Sequence, residues 1–151
     1  MNYEALINKL KEPKFATLDN QQAADAINAE KVKTKRLVPV VEVKQWAIEN
    51  QLYAPIVVGR QSSDDKLKHL CISIVGWIDD IGGRVQNADF DKPAAQAMME
   101  GLVYFGVATQ QQIDDLKTLQ WEDVSWCEVN GWSGLEVGHI ESARQQMEVQ
   151  S

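Results

Sequence analysis

A chain of 151 residues with a formal net charge of −7 and 44% apolar residues has room for one domain, and enough apolar surface to fold without staples. Its acidic balance disfavours general nucleic-acid binding, which needs cations to displace counterions from phosphate. The N-terminal stretch MNYEALINKLKEP carries no secretory apolar core, no run approaches the roughly 20 apolar residues of a bilayer-spanning helix, and two cysteines are too few for a disulfide framework. Cys71 and Cys127 therefore read as buried free thiols of a protein made in the cytoplasm.

In chain order, Tyr3 to Lys11 predicts a first helix, with Asn2 as cap, Leu6, Ile7 and Leu10 on one face, and Pro13 as stop. Asn20 to Asn28 predicts a second, capped by Asp19, with the small residues Ala23 and Ala24 and Ile27 turned inward. Glu30 to Pro39 reads as an extended crossover or short edge strand, because Val32, Thr34, Leu37 and Val38 disfavour helix and Val38 precedes a proline. A third helix is expected from Val40 to Gln51, with Val43, Trp46, Ala47 and Leu52 on its buried side. Tyr53 to Arg60, broken by Pro55 and Gly59, is either a short helix or a buried loop.

Ser62 and Ser63 then cap the longest expected helix, Asp64 to Ile81, whose broad apolar arc through Leu67, Leu70, Cys71, Ile74, Val75, Trp77, Ile78 and Ile81 marks it as central. Gly82 and Gly83 end it, and Arg84 to Phe90 is a loop. Asp91 should cap a helix with Pro93 in its first turn, running to Phe105 and closed by Gly106. Thr109 and Gln112 have capping-box spacing ahead of Ile113, Leu116 and Leu119. Trp121 to Val129 reads as a continuation or restart of that helix, and Val137 to Met147 as the last helix, with a frayed tail. The sum is an all-α fold: a single helical domain over 1–151, a compact bundle of about six or seven short helices around a central one, with one extended crossover in the N-terminal third.

No stretch carries a strong chemical motif. His69 and Cys71 lie two apart on a helix, as do His139 and Glu141, so neither pair can share a ligand. The doublets Asp64-Asp65, Asp79-Asp80, Asp114-Asp115 and Glu122-Asp123 split between helix faces, because adjacent helical residues point about 100° apart. Asp80 and Arg84 have the spacing of a simple helical ion pair. The serines and glycines match neither a nucleophile elbow nor a phosphate loop. The residues thus nominate no catalytic, metal or cofactor site.

Two features suggest partner binding. Lys31, Lys33, Lys35 and Arg36 form the only basic cluster, either a solvated face or a docking surface for an acidic partner. Of the five tryptophans, Trp46 and Trp77 fit core stripes. Trp132 follows Asn130-Gly131 in an expected turn and is the candidate exposed anchor.

Thr17, Asp19, Gln22, Ala24 and Asn28, then Val38, Pro39 and Val43, and finally Val137-Gly138-His139-Ile140 with Ala143-Arg144, form a pattern that spans most of the chain. The pattern resembles a family of small helical proteins of tailed bacteriophages whose activity is unassigned. Before the final block the family pattern has a polar helix ending in Gly-Leu, where this chain has SWCEVNGWSG. The resemblance implies a non-enzymatic virion protein without catalytic residues or cofactor. It would assemble in the host cytoplasm and bind other phage structural proteins, or further copies of itself, at the tail, tail fibre or head–neck region. The alternative is an early regulatory or counter-defence protein that binds a host protein.

Overall fold

The computed structural model describes residues 1–80 and 87–151. The helix expected to reach Ile81 ends at Ile78, with Asp79 as its C-cap, and the glycine stop, the Asp80–Arg84 pair and the first part of the following loop lie outside the described residues. The described residues form α1 (Tyr3–Leu10), a 3-10 turn (Pro13–Phe15), α2 (Asn20–Ala29), β1 (Lys31–Lys35), β2 (Val38–Pro39), α3 (Val40–Glu49), α4 (Tyr53–Gly59), α5 (Asp65–Ile78), β3 (Asn87–Ala88), α6 (Pro93–Tyr104), α7 (Gln110–Thr118), β4 (Trp121–Ser125), α8 (Trp126–Val129) and α9 (Val137–Gln150). The protein is helix-rich but not purely helical. β1 pairs with β4 in one two-stranded sheet, and β2 pairs antiparallel with β3 in another, with Val38 opposite Ala88.

The local start signals act largely as the sequence suggests. Asn2 accepts from the Ala5 N–H at 3.1 Å. Asp19 and Gln22 form a reciprocal capping box on α2, and Thr109 and Gln112 form one on α7. Asp64, rather than Ser62 or Ser63, caps α5 by accepting from Lys66 and Leu67, while Ser62 Oγ accepts from the Asp64 N–H. At α6 the cap position is Lys92 and no side chain caps it, because Asp91 lies one residue too early and gives its own N–H to Asp89.

Three helices end alike. After α3, α6 and α8 the chain turns through a left-handed residue, Gln51 (φ 59°), Gly106 (φ 69°) and Gly131 (φ 76°). In each case the next residue donates its N–H back into the helix: Leu52 to Ala47 at 2.8 Å, Val107 to Leu102 at 2.9 Å, and Trp132 to Cys127 at 2.7 Å. That geometry folds an apolar residue back over the last turn.

The chain forms two compact units, where the sequence reading has one core around the long helix. Unit 1 comprises 1–34 with 122–151, and unit 2 is the stretch 35–121 between them. In unit 1, α9 packs on α1 and α2. Its core holds Leu6, Leu10, Phe15, Ile27, Trp126, Trp132, Leu135, Ile140 and Ala143. Ala23 and Ala24 are fully buried, which lets the helices approach closely. Two polar clamps tie the chain ends together. The Asn28 side chain donates to the Leu135 carbonyl at 2.9 Å and accepts from the Leu135 N–H at 2.8 Å, reproducing a backbone pair. Arg144 on α9 donates to Asn20 Oδ1 at 2.7 Å and to the carbonyls of Phe15 and Leu18 at 3.1 and 2.7 Å.

In unit 2, α5 is the hub and contacts α3, α4 and α6. Cys71, Ile74, Val75 and Ile78 are buried, whereas Leu67, Leu70 and Trp77 are only partly covered. Gly59 lies so near α5 that a Cβ there would meet Cys71 Sγ at 2.5 Å. The segment 121–129 is not a continuous helix. Its first half is β4, because its backbone pairs with β1, and tertiary pairing overrides a weak local preference. α9 extends to Gln150, past the expected fraying point.

Two substitutions test these joints. Asn28→Ala leaves the part-buried Leu135 groups unpaired and should lower stability by about 1–3 kcal/mol in urea unfolding. Asn28→Asp should not restore it, because a carboxylate cannot donate to the Leu135 carbonyl. Gln51→Gly should instead raise stability by about 0.5–1 kcal/mol, since glycine meets no Cβ penalty at φ 59°. A loss of stability in Gln51→Gly would show that the glutamine side chain holds the turn.

Candidate functional site

The basic segment that stands out in the sequence does not form one free cationic patch. Lys31 and Lys33 belong to unit 1, and Lys35 and Arg36 to unit 2. Lys33 lies 3.5 Å from Asp123, both side chains being well exposed. Lys35 pairs with Asp91 and sits 3.5 Å from Asp89. The Asp91 carboxylate holds the Lys35 ammonium above its usual range. Arg36 is the most embedded. Its guanidinium reaches Glu42 at 2.6 Å and the Leu119 carbonyl at 2.9 Å, while its backbone N–H donates to the Gln120 carbonyl at 2.7 Å. Arg36 thus joins the two ends of unit 2. Lys31 is exposed and makes no ion pair among the described residues.

Trp132 is buried, with 3% of its surface exposed, and this corrects its reading as a surface anchor. The turn at Asn130-Gly131 is real, but as the left-handed end of α8 it returns the indole to the core. There the ring packs edge-on to Tyr3 at 5.1 Å and against His139 at 5.0 Å. Trp126 is buried too. The tryptophan that remains open is Trp121, 47% exposed at the start of β4. The sequence expects one or two of Trp121, Trp126 and Trp132 to be exposed, and Trp121 is the one the structure leaves open.

In unit 1, the stretches Lys31–Thr34 and Glu122–Ser125 make an exposed ribbon, with Lys31 and Lys33 on one strand and Glu122 and Asp123 on the other. Below it, Glu30 closes a ring of charges with Lys9 at 2.8 Å and Lys14 at 3.1 Å, and Glu12 reaches both lysines. Burial alone would raise the Glu30 carboxyl, but the two ammonium groups outweigh it and hold it below the usual range.

Unit 2 carries a titratable cluster of its own. Asp79, at the end of α5, accepts from Lys44 at 2.5 Å and from the Tyr53 hydroxyl at 2.7 Å. Lys44 and Tyr53 hold the Asp79 carboxyl below the usual range. Asp79 in turn pushes Tyr53 up. A phenol held protonated is a poor general base, so the cluster acts as a tie between α3, α4 and α5. Both cysteine thiols are pushed up by burial and are poor nucleophiles. Among the described residues no three side chains converge as a metal site, and no helix is long and apolar enough to cross a membrane.

Comparison with models of protein families, with curated proteins and with solved structures gives no match for this chain.

The Asp79 tie makes a signed prediction. A carboxyl lowered by folding contributes stability above its unfolded pKa of about 3.9, and that contribution is lost as pH falls through the folded value. Asp79→Asn should therefore lower stability at pH 7 and flatten the fall in stability below about pH 4. Urea midpoints of the two proteins at pH 7 and at pH 2.5 should differ at the first and converge at the second.

Proposed function

We propose that this chain is a non-enzymatic protein of a tailed bacteriophage, a minor virion component that binds other virion proteins at the tail, tail fibre or head–neck region. One observation carries the reading: six of the residues behind the phage resemblance do structural work at one joint, between α2 and α9. Asp19 and Gln22 start α2, and Asn28 pairs with Leu135. Ile140 and Ala143 fill the core beside them, and Arg144 clamps the turn before α2. Val38 and Val43 are buried in unit 2. What such a family would share is then a scaffold rather than a reaction. The helices of unit 2 make a bundle around α5 in this reading.

The binding surface we favour is the exposed ribbon of unit 1. Each strand of a two-stranded sheet keeps one edge that its mate does not cover, and such edges accept a partner strand. Lys31 and Lys33 beside Glu122 and Asp123 would set register by mixed charge rather than by one-signed attraction. A second copy of the chain is an equally apt partner chemically. The exposed Asp114 and Asp115 on α7 favour one other reading, an early regulator that presents carboxylates to a host protein.

Mass spectrometry of purified particles separates the two. The virion reading expects this chain at a fixed ratio to the tail or neck proteins. Its absence from particles, with expression confined to early infection, overturns that reading in favour of the regulator. In particles that contain the chain, Lys31→Glu with Lys33→Glu should reduce its incorporation several-fold. Both positions are exposed, so the domain should still fold, losing no more than about 1–2 kcal/mol from the like charges set beside Glu122 and Asp123.

A further inference from the structure

Among the described residues of unit 2, the space between α3, α5 and α6 is not filled. It holds a cavity of about 460 Å³ that opens to solvent. Protein interiors rarely leave voids much larger than one water. This one is large enough for roughly fifteen waters, yet its walls are mainly apolar and give water few partners. Its volume falls in the range of small-molecule sites, roughly 300–1,000 Å³. Trp77 and Met98 stand only partly covered along it, and Met99 lies beside them. Two adjacent methionines give a wall that adapts to an irregular guest.

The polar groups at the cavity are matched to one kind of guest. Trp46 lines it, is nine-tenths buried, and its indole N–H has no hydrogen-bond partner among the described residues. An indole N–H only donates, so whatever satisfies it must bring an acceptor. At the mouth, the Asp89 carboxylate is already engaged by the Asp91 N–H and by Lys35. Lys92 is exposed there and makes no ion pair among the described residues. Asn87 and the second Asp89 oxygen also line the site, but of the polar groups there Trp46 and Lys92 are the ones that can only donate.

We propose that this cavity is a binding site for a small aliphatic molecule with one acceptor end, of the fatty-acid class. The chain enters between α3 and α6, and the carboxylate or carbonyl meets the Trp46 N–H or the Lys92 ammonium. The proposal does not depend on the phage reading, and either can fail alone.

Sodium decanoate is the probe, titrated into the full ¹⁵N-labelled chain. Five tryptophans give five indole N–H signals, and Trp46→Phe identifies the one from Trp46 by its loss. The expected result is saturable binding below about 1 mM, with the Trp46 signal moving most. Ala95→Trp places a bulky ring in the cavity wall and should weaken binding at least tenfold while the far-ultraviolet circular dichroism stays unchanged. If that variant fails to fold, Met98→Trp takes its place. Absence of saturation, a uniform shift of all five indoles, or unchanged affinity in the folded blocking variant would each overturn the site.

Discussion

Unit 1 depends on a side chain that imitates a backbone. Asn28 sits at the end of α2 and Leu135 just ahead of α9, and the Asn28 amide exchanges two hydrogen bonds with the Leu135 peptide. All of unit 2 lies between them in sequence. Closing a flexible loop of that length costs on the order of 4 kcal/mol in chain entropy beyond the constant term. Arg36 reduces that cost, because its bonds to Leu119 and Gln120 already hold the two ends of unit 2 together. Once unit 2 has formed, residues 34 and 122 are no longer the ends of a free loop. Loop entropy therefore favours forming the local helices of unit 2 before the joint of α2 and α9.

This arrangement explains what the sequence could and could not reveal. Caps are local, so Asn2, Asp19, and Thr109 with Gln112 were legible from spacing alone, while the Gln22 half of the α2 box emerged only in the structure. The apolar stripe of α5 was legible for the same reason. A stripe says that a helix is buried but not which helix buries it. Leu6, Ile27 and Ile140 carry stripes no different in kind from that of Ile74, yet they close on one another and not on α5. β4 was missed on similar grounds. Its five residues have no alternation strong enough to announce a strand, and what makes them one is β1, some ninety positions earlier.

The basic cluster is largely paired and Trp132 is buried, for two separate physical reasons. A run of lysine and arginine looks free when only its neighbours in sequence are visible. Here the partners are Glu42, Asp89, Asp91 and Asp123, of which only Glu42 is close in the chain. A chain with more acids than bases tends to supply such partners, so the composition argued for compensation more strongly than for a patch. Trp132 failed through turn chemistry. Asn130-Gly131 marks a turn correctly, but a left-handed helix end and an open loop differ in where they send the next residue. The end of α3 shows the same pattern: Leu52 is apolar, follows the left-handed Gln51, and is buried.

The cavity of unit 2 does not reflect loose packing of that unit as a whole. On one side of α5, Gly59 lets α4 approach until no side chain larger than hydrogen fits against Cys71. On another, a Cβ at Gly101 of α6 would come within 2.8 Å of Leu70. α5 is therefore gripped tightly at both of these contacts while the space bounded by Trp46, Trp77 and Met98 stays open. A poorly specified core would spread its voids and lose its close contacts together. Here the close contacts fix the helices around the void, which is how a rigid scaffold keeps a pocket from collapsing. The Trp46 N–H belongs to the same logic, since a buried donor with no partner among the described residues is a local cost that a packed core would ordinarily avoid.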